Sequence, residues 1–198
     1  MKEKPMLYSG PMVRAILEDL KTQTRRVMKE HPPLPWKVEI HGDSLCVLDG
    51  GCKKFCKVPH PVGSRIWVKE TWRTVNDPAT CIGDALEIDY RADGITRIMD
   101  KVGKSRWRPS IHMPRWASRI NLDVTEVRLE RLQDISEEDA KAEGVTLGED
   151  RSWAFKEAGL KYEPHRFAYE LLWDEINGPG SWDQNPWVWV YTFKRIKP

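Results

Sequence analysis

Residues 20–26 read Leu-Lys-Thr-Gln-Thr-Arg-Arg, directly after the helix-like run 13–20. Lys21, Thr22, Thr24, Arg25 and Arg26 put an amine, two hydroxyls and two guanidiniums into six residues. Three chemistries suit such a stretch: a solvated basic turn, a phosphate clamp, or a site in which an amine activates a hydroxyl. A threonine hydroxyl is a weak nucleophile until a base takes its proton. Lys21 lies three residues before Thr24, so the two converge if the chain turns there. To act as a base at neutral pH the lysine must be neutral, which requires burial or a cationic neighbour, and Arg25 and Arg26 supply the latter. Arg26 also suits substrate orientation or oxyanion stabilisation. Against this stands the plainer reading, in which Lys21 complements a helix C-terminus and Thr24 begins a strand.

Two further groups carry chemistry. Trp67, Glu70 and Trp72 share one strand-like segment. A carboxylate can accept from the amino group of cytosine while an indole stacks on the ring. The alternative is a surface pairing of Glu70 with Lys69 or Arg65. Cys46, Cys52 and Cys56, flanked by His41 and His60, suggest a zinc knuckle, but the paired C-x2-C spacing is missing. No metal and no cofactor is expected. Cys81 completes the cysteines, and reduced structural thiols are the ordinary state in a cytosolic protein. Most of the ten tryptophans are expected in the core, since aromatic rings bury large apolar areas.

The balance of 32 basic against 30 acidic side chains leaves a net charge of +2. A protein that grips a long polyanion usually carries a larger basic excess, so a small nucleoside or modified-base ligand suits this chain better, with RNA as a possible partner. No apolar run is long enough to cross a bilayer and no signal-peptide core follows Met1, so a cytoplasmic location is expected, with no membrane partner.

These side chains must be positioned by elements the sequence pattern suggests. A short strand at 5–9 leads to a helix over 12–20, with Met12, Ile16 and Leu20 on one face. Residues 32–35, Pro-Pro-Leu-Pro, read as an extended linker. Strands at 36–40 and 45–48 flank the turn 41–44 as a hairpin, and 49–51 is a second turn. A strand runs from 63 to 72, another over 86–90, and a long alternating one over 118–129. Ser136 is an N-cap followed by an acidic first turn, and that helix ends at Gly144. A helix over 165–176 and a strand over 187–195 close the chain. The pattern implies an α+β fold built on a β-barrel with two or three helices, as a single domain over 1–198.

The helix ending in Lys21-Thr22-Gln23-Thr24-Arg25-Arg26, the Gly63-led strand and the stretch 135–145 together resemble the ASCH superfamily. That family has a PUA-like β-barrel and carries a G-x-K-T-x-T-x-R motif at the end of its first helix. Asp19 stands here at the motif's glycine position. Within the superfamily the chain resembles the small bacterial amidohydrolases that cleave N4-acetylcytidine. Pro-Ser-Ile-His-Met-Pro at 109–114 and the segment 180–190 resemble the longer phage- and prophage-encoded ASCH proteins. The resemblance implies a catalytic set of Lys21, Thr24 and Glu143, in which Glu143 relays a proton to the leaving nitrogen. The segments 76–108 and 147–164 fall outside it and read as insertions that reshape the pocket. Arg26, Glu70 and Trp67 are the expected substrate-binding residues. Two other functions fit the same family: non-catalytic binding of RNA or a modified base, and ribonuclease activity with Lys21 and Arg26 on a phosphate.

Overall fold

The last strand of the chain organises the rest. In Trp187–Ile196 the residues alternate between two buried environments: Trp189, Tyr191 and Phe193 enter one core, Val188 and Val190 another. A strand buried on both faces must be central, and this one is paired on both sides. A computed structural model describes residues 3–29, 37–48, 52–75, 87–94, 106–145 and 164–197. Within them the fold is mixed α+β, with a sheet core and three α-helices.

The main sheet has five strands. They are β1 (Glu3–Leu7), β2 (Gln23–Val27), β6 (Arg65–Lys69), β9 (Asn121–Arg131) and β10 (Trp187–Ile196), in the order β1-β6-β9-β10-β2. β1 lies parallel to β6, and the other pairings are antiparallel. β1 and β2 are therefore the two edges, and no backbone ladder joins them among the described residues. They nevertheless approach, because the Arg26 guanidinium on β2 donates to the carbonyl of Leu7 on β1 at 2.6 Å. The sheet is curled, and its seam is bridged by a side chain.

A second sheet of β3 (Lys37–His41), β4 (Ser44–Leu48) and β5 (Cys52–Lys57) covers the first core with Leu45 and the neighbouring Val58. The expected hairpin turn forms at Gly42-Asp43, where Gly42 takes φ +60°. A two-stranded ribbon, β7 (Trp72–Val75) and β8 (Glu87–Tyr90), includes the strand expected at 86–90. The linker at 32–35, the turn at 49–51, Trp36, Cys81, Trp153 and most of the two expected insertions lie outside the described residues.

Helix α1 (Gly10–Leu17) begins two residues earlier than its apolar period suggests, because Gly10-Pro11 occupy its first turn, where proline is tolerated. It also stops sooner. Asp19 takes φ +59°, a left-handed conformation that ends a helix and that glycine usually supplies. Aspartate tolerates that region better than most residues. Its carboxylate is held by Arg195 at 3.1 Å and Lys197 at 2.8 Å. Helix α2 (Glu137–Ala142) starts as expected, the Ser136 hydroxyl accepting from the Asp139 amide at 3.1 Å. Helix α3 (Pro164–Asn177) packs Tyr169 and Trp173 into the second core. The strand expected over 63–72 is broken at Glu70-Thr71 into β6 and β7. No helix among the described residues is long and apolar enough to cross a membrane.

Candidate active site

The left-handed turn at Asp19 releases the chain so that Lys21 makes an isolated antiparallel bridge with Glu143, at the end of α2. The Thr22 amide donates to the Ala142 carbonyl at 2.8 Å. Gly144 makes this approach possible. It takes φ +75°, and a Cβ there would lie 2.8 Å from Lys21 Cβ and 2.9 Å from Ala15 Cβ. Only glycine satisfies both the conformation and the space.

The bridge buries an ionic cluster. Lys21 Nζ donates to Glu143 Oε2 at 2.5 Å and to the Glu143 carbonyl at 2.8 Å. Arg25 Nη1 donates to Glu143 Oε1 at 3.1 Å, so both carboxylate oxygens are held. The other end of Arg25 meets Glu130 at 2.7 Å and Asp139 at 2.8 Å, and Arg128 also reaches Asp139, at 2.9 Å. Lys21 is 2% exposed, Arg25 4% and Glu143 4%. Burial lowers the Lys21 pKa, Glu143 opposes that by attraction, and Arg26 and Arg25 add to the lowering. Burial and the two guanidiniums favour the neutral amine, while the carboxylate 2.5 Å away favours the charged one.

Strand alternation on β2 separates the roles. Arg25 turns toward the carboxylates of β9 and α2. Arg26 turns the other way and lies 5.2 Å over the ring of Tyr8. Tyr8 is fully buried and its pKa is pushed up to about 12, mainly by burial; side-chain hydrogen bonding with Thr24 and Arg26 pulls the other way. Tyr169 of α3 is raised well above the usual phenol range by burial and by the negative charge of Glu143. Both phenols keep their protons at neutral pH; the Tyr8 hydroxyl donates to Met6 Sδ at 3.1 Å, and Tyr169 hydrogen-bonds to Glu143.

These groups surround a cavity of about 370 Å³. Its wall includes Thr24, Arg25, Arg26 and Glu143, the two tyrosines, and Trp173 and Leu172 of α3. Lys21 sits behind Glu143 and is not part of that wall. Its amine bonds to Glu143 and, among the described residues, not to Thr24.

The structure therefore brings Lys21, Thr24, Glu143 and Arg26 together, and it leaves Glu70 and Trp67 elsewhere. Neither lines the cavity. Glu70 is 1% exposed and takes a two-pronged grip from Arg119, at 3.0 and 3.1 Å, in place of both the expected substrate role and the alternative surface pairing with Lys69 or Arg65. Arg119 in turn binds Asp93 at 2.6 Å and lies 4.0 Å from the Tyr90 ring centre. Burial raises the Glu70 pKa and Arg119 opposes it. Trp67 is half-buried beneath Lys69 and Arg115, whose charges lie 5.5 and 5.8 Å from its ring centre. Their chemistry and their shared strand suggest a substrate role, but neither says which cavity a side chain borders.

Three site groups escaped the sequence reading. Tyr8 and Tyr169 are single phenols without a motif around them, and the sequence presents Arg25 only as a source of positive field, not as the anchor of three carboxylates. Comparison with protein-family models, with curated proteins and with solved structures returned no match. Among the described residues no three His, Cys, Asp or Glu side chains form a group that could hold a metal ion.

Proposed function

We propose that the chain is an amide hydrolase that removes the acyl group from N4-acylated cytosine or cytidine-type nucleosides, built on an ASCH-type, PUA-like barrel. One observation carries the reading: a buried lysine–carboxylate pair, held by Arg25, backs a small aromatic-walled cavity that also contains a threonine hydroxyl. A small nucleoside suits a cavity of about 370 Å³ better than a folded nucleic acid does.

The chemistry follows from the roles open to each group. Neutral Lys21 takes a proton from Thr24 Oγ1 by way of the Glu143 carboxylate, the group it contacts and the one that faces the cavity. The alkoxide adds to the acyl carbonyl carbon, and Arg26 and the Tyr8 phenol stabilise the oxyanion. Collapse breaks the bond between that carbon and N4, and Glu143 returns the proton to N4. Water then hydrolyses the acyl-threonine, releases the carboxylic acid and restores Thr24 Oγ1–H. Tyr169 and Trp173 give the base an apolar wall, and Arg25 keeps Glu143 aimed.

The test is release of cytidine from N4-acetylcytidine by the wild type beside Lys21→Ala, Thr24→Ala and Glu143→Ala. Turnover by the wild type, lost in folded variants, supports the reading. No turnover on several N4-acyl cytidines removes it. The binding-only alternative is favoured by one feature, the absence of a direct Lys21–Thr24 hydrogen bond; it requires Thr24→Ala to bind cytidine as the wild type does and the wild type to leave the acyl group in place.

A further inference from the structure

A second, larger cavity of about 610 Å³ adjoins the first, and Leu7, Arg26 and Val27 belong to the walls of both. The dividing wall is low, since Leu7 and Val27 are 44% and 45% exposed. The mechanism above makes no use of this second space. Four cationic side chains line it, Arg26, Lys29, Lys57 and Lys69, and no carboxylate does. Asp43 reaches one of the four, Lys57, at 3.6 Å. Lys69 is engaged by a carbonyl and by the Trp67 ring, and Arg26 by the Leu7 carbonyl; neither of those contacts neutralises a charge. Among the described residues Lys29 has no acidic partner. This excess is local, in a protein whose overall charge is nearly balanced. Apart from His60, the rest of the wall, including the rings of Trp189 and Tyr191, is mostly apolar, which strengthens the field of the cations inside.

We infer that the larger cavity holds the phosphate of a nucleotide whose base occupies the smaller one, so that the substrate is a phosphorylated nucleoside rather than a free one. The inference rests on the nucleoside reading of the smaller cavity and adds a second binding site to it. Arg26, shared by both walls, joins the two subsites. The positive field is also felt by His60 on the same wall, whose pKa is lowered to about 4 by burial and by the charges of Lys4 and Arg26. A phosphate beside that ring reverses part of the effect. The volume exceeds what one phosphate needs and admits the phosphate of a mononucleotide or of a single strand, and the test separates these.

Cytidine, cytidine 5′-monophosphate, adenosine, adenosine 5′-monophosphate and a single-stranded trinucleotide are titrated calorimetrically at low salt into the wild type and a Lys29→Ala/Lys57→Ala variant. Both lysines are exposed, so the variant retains the fold. Each mononucleotide is expected to bind at least about tenfold more tightly than its nucleoside, and the double substitution to remove about tenfold of that. The His60 ring, followed by NMR, is expected to titrate at higher pH in the complex. A preference shown only by the trinucleotide also supports the inference and makes a strand the source. Nucleotides bound no better than nucleosides, with trinucleotide binding indifferent to the substitutions, overturn it. The adenosine pair needs no cytosine recognition, and N4-acetylcytidine turnover is measured on the same preparations. A phosphate preference without turnover therefore removes only the hydrolase, and turnover without a phosphate preference removes only the second subsite.

Discussion

Gly144→Ala tests whether the close approach of α2 to Lys21 builds the site. The substitution brings two costs. One is conformational, since an L-residue in the left-handed region costs about 1–2 kcal/mol. The other is steric, because the new Cβ would lie 2.8 Å from Lys21 Cβ and 2.9 Å from Ala15 Cβ. Overpacking of this kind costs about 1–3 kcal/mol. Gly63 separates the two terms: its φ is +78°, and an added Cβ meets nothing within 4 Å. Gly63→Ala is therefore expected to lose only the conformational term, and Gly144→Ala an additional ~1–3 kcal/mol. Urea unfolding with matched m-values measures the difference. Relief of the clash must move Glu143 away from Lys21, so turnover of N4-acetylcytidine is expected to fall at least about tenfold in Gly144→Ala and to stay unchanged in Gly63→Ala. Equal destabilisation by the two substitutions, or full activity in Gly144→Ala, would refute the argument that this contact assembles the site.

Glu143→Gln leaves Lys21 and Arg25 buried without the carboxylate they share, at a cost of about 3–5 kcal/mol by chemical unfolding, with turnover down ~10²–10⁴-fold through loss of the proton relay. The base reading requires kcat/KM to rise with pH as Lys21 loses its proton, at a pKa below the usual lysine value; a kcat/KM that rises nowhere below that value contradicts it. His60 gives a stability prediction of definite sign. Its folded pKa of about 4 lies below the unfolded 6.5, so between those values the unfolded chain binds the extra proton and stability falls as pH drops. The full displacement corresponds to ~3 kcal/mol, reduced to about 1–2 kcal/mol at this partly exposed ring. His60→Gln should lose that much less stability than the wild type between pH 7 and 4, and identical losses would exclude the ring as the cause. Glu70→Gln is expected to destabilise by about 3 kcal/mol, because it weakens the grip on Arg119, while leaving hydrolysis of N4-acetylcytidine unchanged; a kinetic defect in a folded Glu70→Gln would return this residue to the substrate site.

Local rules carried the sequence reading as far as local causes reach. The strand over 187–195, the Ser136 cap and the Gly42 turn each arise within a few residues, and each stands where the pattern puts it. The strand expected over 63–72 breaks at Glu70, where the carboxylate is buried against Arg119, 49 residues away. No periodicity could disclose it. Arg25 illustrates the same limit, with acidic partners 105, 114 and 118 residues further along the chain.

The position of Asp19 links the legible and illegible parts. Its side chain departs from the glycine of the motif that the chain resembles, yet its backbone takes the left-handed angle glycine would supply. What the site needs from that position is a turn, because the turn carries Lys21 from the end of α1 to the edge of α2. Gly144 meets the same need from the other side, and there no side chain fits at all. The asymmetry follows from surroundings: Asp19 points toward solvent and the cations Arg195 and Lys197, which hold its carboxylate, while Gly144 faces Lys21 itself. A conformational requirement facing water leaves residue choice open. The same requirement packed against a buried lysine leaves only glycine.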